Sequence, residues 1–151
     1  MDFSQITQQL FVGTTPGPDD YPLLRRLGVQ LVINMRIERR PFPDPHYPPL
    51  PVLWLPTFDN PLLPIPIRTL HRGAAAALRI MKEGGGVYTH CAAGMHRSVA
   101  MGAAILIATG YSMEEAVRLI KQRRSVADPH TWYIRRRIER FAASWQNSRK
   151  Q

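Results

Sequence analysis

Residues 87–98, Val87-Tyr88-Thr89-His90-Cys91-Ala92-Ala93-Gly94-Met95-His96-Arg97-Ser98, run directly into a charge-free stretch that continues to Ala108. Val87 to His90 is rich in β-formers and reads as a strand. From Ser98 to Ala108 nearly every residue is apolar. A helix that is apolar on all sides is a central, buried one. Between the two lies a short loop around the cysteine. A strand that feeds a buried helix through a tight loop is half of a βα unit, so the chain is expected to be an α/β domain.

The flanking sequence repeats that alternation. Leu10-Phe11-Val12-Gly13 reads as an early strand. Asp19 or Asp20 opens a short helix through Leu27, and Gly28 stops it. Val29 to Met35 reads as a second buried strand. Val52-Leu53-Trp54-Leu55 is a third, although ten of the 14 prolines lie between Pro41 and Pro66. Ile67, Leu70, Ala74, Ala77 and Met81 form a helical stripe that Gly84-Gly85-Gly86 ends. Ser112 and Glu115 have the spacing of a capping box. Asp128-Pro129 is expected to start the last helix, whose stripe is Ile134, Ile138, Phe141 and Trp145. Together these predict a single domain over 1–151, with a central, mainly parallel twisted sheet flanked by helices.

At 151 residues such a core needs neither disulfide nor metal to fold. The 44% hydrophobic and 21% charged content excludes wholesale disorder. The lone cysteine excludes an internal disulfide and fits a reducing compartment. The first residues lack the apolar run of a signal peptide. The longest uncharged run, Ser98 to Met113, is shorter than the roughly 18 residues of a membrane span. A cytoplasmic protein without a membrane partner is expected. The net charge is +9, and ten Lys or Arg against two acidic residues fall between Arg118 and Gln151. Such asymmetry either attracts phosphate-rich partners or is a solvated helix face.

The cysteine loop carries the chemistry. A strand-to-helix loop gathers backbone N–H groups in one concavity, at the positive end of the helix. Residues Ala92, Ala93, Gly94, Met95, His96 and Arg97 would line a nest for a phosphate-sized anion. Phosphate, sulfate or vanadate is the ligand expected there. The same field favours an anionic sulfur on Cys91 as nucleophile. Arg97 can hold two phosphoryl oxygens with its planar fork. Ser98 can donate to the sulfur when a phosphocysteine breaks down. His90 is expected to orient the loop rather than act as a base.

His-Cys-x5-Arg-Ser resembles the signature of the cysteine-dependent protein tyrosine phosphatases. The opening Ile6-Thr7-Gln8-Gln9-Leu10-Phe11-Val12-Gly13 is similar to the small, atypical members of the dual-specificity branch. So are Leu23 to Val29, Val32-Ile33-Asn34 and Gly110 to Ala116. The resemblance implies the fold of that family and a two-step phosphatase reaction without metal or cofactor. It also implies an aspartic acid about 30 residues before the cysteine, which protonates the leaving oxygen and then activates water. Asp59, 32 residues before Cys91, takes that place. Asp128 and Asp44 are the lesser candidates, the first explained by capping and the second sitting in the Pro-rich loop.

His96 departs from the Ser or Gly common before the arginine; it either lines the pocket or is a satisfied loop histidine. Ala92 and Ala93 supply no basic residue, which weighs against an inositol phospholipid substrate. An RNA 5′-phosphatase lacks support because Trp132 and Trp145 are expected to be core residues, so nucleic acid is disfavoured. A catalytically dead phosphate-binding module is disfavoured because Cys91, Arg97 and Asp59 are all present. The rim is expected to include Pro41 to Pro51, with Arg36, Arg39, Arg40 and Arg124 steering acidic ligands. The expected substrate is a phosphorylated protein or peptide, with phosphotyrosine turned over faster than phosphoserine or phosphothreonine.

Overall fold

A computed structural model describes residues 1–149. The chain runs β1 (Phe3–Gln5), β2 (Leu10–Thr14), a 3-10 turn at Pro18–Asp20, α1 (Tyr21–Arg26), β3 (Val29–Arg36) and β4 (Val52–Thr57). It continues through α2 (Ile67–Lys82), β5 (Gly86–Cys91), α3 (Arg97–Ala108), α4 (Met113–Arg123) and α5 (Trp132–Arg149). The strands form one sheet in the order β1-β2-β5-β3-β4. Only the pairing of β1 with β2 is antiparallel; β5 lies parallel between β2 and β3, and β4 runs parallel to β3.

The period of two along each strand divides the apolar residues between two layers. Leu10, Val12, Leu31, Ile33 and Val87 face the helices α2 to α5. Phe11, Val32 and Tyr88 face the other way, against Tyr21 and Leu24 of α1. All twelve residues of α3 are buried, which explains its lack of a polar face. In open α/β sheets the ligand crevice lies beyond the carboxyl ends of the strands. β5, at the centre, ends there with Cys91.

One strand is added and two expectations about local structure are revised. The strand β1 carried no hydrophobic run and was not foreseen in the sequence. Helix α5 begins at Trp132, not at Asp128-Pro129, because the Thr131 carbonyl accepts the first helical N–H groups, those of Ile134 and Arg135. Trp132 is 65% exposed and not a core residue, whereas Trp145 stacks on Phe141 as expected. The Ser112–Glu115 capping box forms as read, each side chain bonding the other's backbone N–H.

Candidate active site

Cys91 is buried at the end of β5, with its Sγ 3.2 Å from the Ser98 Oγ. Ser98 sits in the first turn of α3 and is itself buried. The five residues between Cys91 and Arg97 turn the chain from strand to helix. Gly94 has a positive φ of 67°, and a Cβ there would lie 2.6 Å from Arg124 Nη2 and 2.9 Å from the Gly13 carbonyl. Only glycine fits that crossing.

Arg124 is 2% exposed and supports the loop from behind. Its Nε donates to the Gly94 carbonyl at 2.8 Å and its Nη2 to the Ala93 carbonyl at 3.2 Å. Its remaining hydrogen bonds reach Ser4 Oγ and Asp2 Oδ2 near the N-terminus. The steering role expected for Arg124 is therefore corrected: the guanidinium faces inward because the loop carbonyls need its donors. With Ala93 and Gly94 carbonyls drawn backwards, the N–H groups of the loop are free to face the opposite, concave side.

Arg97, 4% exposed, opens α3. Glu38, just after β3, holds it in a two-point ion pair: Nη1 to Oε1 at 2.8 Å and Nη2 to Oε2 at 2.9 Å. Nη1 also donates to the Thr57 carbonyl at 2.8 Å. Hydrogen bonding from Arg97 brings the Glu38 carboxyl down to about 2, so it is ionised at neutral pH. Arg97 Nε is buried with no hydrogen-bond partner among the described residues.

Asp59 lies beyond β4. Its Oδ1 accepts the Tyr133 hydroxyl at 2.6 Å and its Oδ2 is 3.0 Å from His96 Nδ1. Burial alone would raise its pKa, but the Tyr133 and His96 hydrogen bonds outweigh that and hold it below the ordinary carboxylate range. His96 is thus neither isolated nor satisfied by its own loop; it joins the phosphate loop to Asp59. His90 is buried, and desolvation pushes its pKa down to about 3, so the ring is neutral. Its Nδ1 has no hydrogen-bond partner among the described residues.

The structure thus gathers three separate sets at the end of β5, Cys91 with Ser98, Arg97 with Glu38 and Thr57, and His96 with Asp59 and Tyr133, and places Asp44 elsewhere. Asp44 is buried against α1, paired with Arg25 at 2.5 Å and accepting the N–H groups of His46 and Leu50. That pairing draws the Pro-rich stretch onto α1, with Tyr21 donating to the Phe42 carbonyl and Arg25 to that of Pro48. The expected rim of Pro41 to Pro51 is corrected accordingly: Glu38, immediately before it, is the residue that reaches the site. Arg36 is tied to Glu38 and to Thr15, and Arg39 and Arg40 lie over the rings of Phe42 and Trp54. Among the described residues no three His, Cys, Asp or Glu side chains cluster as a metal site would require. No helix among them is long and apolar enough to cross a membrane.

Residues 10–140 match the dual specificity phosphatase catalytic domain family. Over 129 residues the chain is 30% identical to dual specificity phosphatase 28 of Mus musculus, covering 85% of this chain and 77% of that protein. Over 74 residues it is 43% identical to phosphatidylglycerophosphatase and protein-tyrosine phosphatase 1 of Rattus norvegicus, covering 48% of this chain and 38% of that one. The crystal structure of human DUSP28 superposes with a TM-score of 0.83 at 25% identity, over 95% of each chain. That of PTPMT1 in complex with PI(5)P gives 0.81 at 25% identity, over 97% of each.

Proposed function

This chain belongs to the dual specificity phosphatases of the cysteine-dependent protein tyrosine phosphatase superfamily, and on that premise we propose that Cys91 hydrolyses phosphate monoesters through a phosphocysteine. The Cys91 sulfur attacks phosphorus, the ester P–O bond breaks, and the leaving oxygen takes a proton from Asp59. Water then attacks phosphorus while Asp59 accepts its proton. The P–S bond breaks, and the Ser98 hydroxyl donates to the departing sulfur. Arg97 and the loop N–H groups hold the phosphoryl oxygens throughout.

The observation that carries this reading is the Arg97 side chain. Glu38 and Thr57 take its outer nitrogens from one side, which leaves the buried Nε as a donor for a phosphoryl oxygen. The preferred substrate is a phosphorylated protein or peptide, with phosphotyrosine ahead of phosphoserine and phosphothreonine. A second reading, a phosphoinositide phosphatase, draws support from the PTPMT1 complex with PI(5)P. Ala92 and Ala93 count against it, since they bring no positive charge to the loop.

One panel tests both: peptides carrying phosphotyrosine, phosphoserine or phosphothreonine, beside PI(5)P in micelles and an RNA 5′-phosphate. Phosphopeptide turnover that disappears in Cys91→Ser is the expected result. Turnover of PI(5)P alone would replace the peptide reading with the lipid one, and turnover of RNA ends alone would replace both.

A further inference from the structure

Asp59 is surrounded by groups that favour its charged form. The Tyr133 hydroxyl of α5 donates to Oδ1 at 2.6 Å. His96 of the phosphate loop faces Oδ2 at 3.0 Å, and Arg97 of α3 adds positive charge through space. His96 is held from its other side as well, its Nε2 lying 3.4 Å from Asp128 Oδ2. Asp128 has its own anchors: its N–H donates to the Met95 carbonyl, and its carboxylate accepts the Thr131 N–H and hydroxyl. The His96 ring packs on Tyr133 with centroids 5.7 Å apart, and the Tyr133 hydroxyl is 3.4 Å from Nδ1.

Ionised carboxylates only accept hydrogen bonds, and an imidazole donates from both nitrogens only as the cation. Around Asp59 stand a donating hydroxyl, the Nδ1 of His96 and a guanidinium. Together they favour the carboxylate over the protonated carboxyl.

A general acid must hold a proton before it can give one, whereas a general base must not. The phosphatase reaction asks both of the same group, one in each step. We propose that His96 and Tyr133 are positioning residues that act through Asp59, favouring its carboxylate form and so restricting fast turnover to esters whose leaving oxygen needs little protonation, the aryl phosphates such as phosphotyrosine. The inference rests on the reading of Asp59 as the acid. The penalty falls hardest on phosphoserine and phosphothreonine, because an alkoxide is a far stronger base than the tyrosine phenoxide, whose phenol has a pKa of about 10. The second step, in which Asp59 takes a proton from water, gains from the same arrangement.

The test is a set of kcat/KM profiles against pH, measured on two peptides that differ only in phosphotyrosine or phosphoserine. The basic limb of such a profile reports the essential acid of the free enzyme. Tyr133→Phe and His96→Ser each remove one stabilising contact from the carboxylate. Both variants should move the basic limb upward by about one pH unit. The phosphoserine-to-phosphotyrosine ratio at pH 7 should rise about tenfold, the factor that one unit of pKa gives in the protonated fraction. A gain on the poorer substrate cannot come from misfolding. Combined with Asp59→Asn, Tyr133→Phe should have no further effect on the ratio.

A basic limb that stays in place, or a ratio that is unchanged or falls in both single variants, overturns the proposal. Asp59→Asn alone separates the two readings. If it lowers phosphoserine turnover far more than phosphotyrosine turnover, the acid assignment stands whatever His96 and Tyr133 do. If it lowers both equally, the acid assignment fails and the inference falls with it.

Discussion

The floor and the rim of the site are built from different materials. The floor, Cys91 to Met95 with Arg97 and Ser98, stands on a wholly buried helix and is braced by two buried guanidinium groups, Arg97 and Arg124. Glu38, Thr57, Ala93 and Gly94, with Asp2 and Ser4, take most of their donors. The rim consists of Asp59, His96, Asp128 and Tyr133, partly exposed side chains that hold one another by hydrogen bonds. Burial fixes the floor, and a single substitution there leaves a buried group without its partner. Mutual charge and hydrogen bonding set the rim, so substitutions there change proton affinity more than shape. On the proposed mechanism this separates phosphate binding and nucleophilic attack from proton delivery within one site.

The largest effect expected is at the floor's centre. Cys91→Ser should remove turnover entirely while vanadate still binds, as isothermal titration would detect; residual turnover would dissolve the distinction between floor and rim. Asp59→Asn comes next. It should slow a phosphoserine peptide by about 10²–10⁴-fold, the usual worth of general acid catalysis. A phosphate ester with a good leaving group should lose far less, and both should bind vanadate as the wild type does. Arg124→Ala should cost about 2–3 kcal/mol in urea unfolding, because it strands the Ala93 and Gly94 carbonyls of the loop. Glu38→Gln should raise KM for aryl phosphates about threefold to tenfold with kcat less affected, since Arg97 keeps its charge but loses half of its two-point anchor.

The smallest effect belongs to a control outside both regions. Asp44→Asn should cost about 1 kcal/mol at pH 7 without altering the pH profile of turnover. Burial by itself would raise the Asp44 pKa, but Arg25 and the N–H groups of Leu50 and His46 outweigh it and hold the carboxyl well below its ordinary value. A depressed folded pKa stabilises the protein above the unfolded value of about 3.9 and loses that stabilisation as pH falls further. The gap in urea stability between wild type and Asp44→Asn should therefore be full at neutral pH and close below about pH 4.

The floor could be read almost completely from the sequence. The strand, loop and helix are contiguous, and their chemistry depends on neighbours no more than seven residues apart, Cys91 to Ser98. Asp59 came from resemblance, because nothing local separates it from a turn residue before Pro61. The braces were out of reach. Glu38 stands in the charged run Arg36-Ile37-Glu38-Arg39-Arg40, which looks like solvated surface, and its partner Arg97 is 59 positions away. Arg124 was misplaced for the same reason, being one basic residue among many until Gly94 is packed against it. Tyr133 gave no signal either, since a tyrosine one position ahead of a helical stripe looks like its edge. Trp132 stands where core packing is expected to take it, yet its place at the first turn of α5 turns it outward.

The bracing by Arg124 also ties β1 to the cysteine loop. Its guanidinium spans from the carbonyls of Ala93 and Gly94 to Asp2 and Ser4, and β1 is held beside β2 by only three residue pairs. A substitution of Asp2 would thus be felt 92 positions along the chain at Gly94, through the one guanidinium that holds both. Asp2 and Ser4 belong mechanically to the cysteine loop, although neither is near it in sequence.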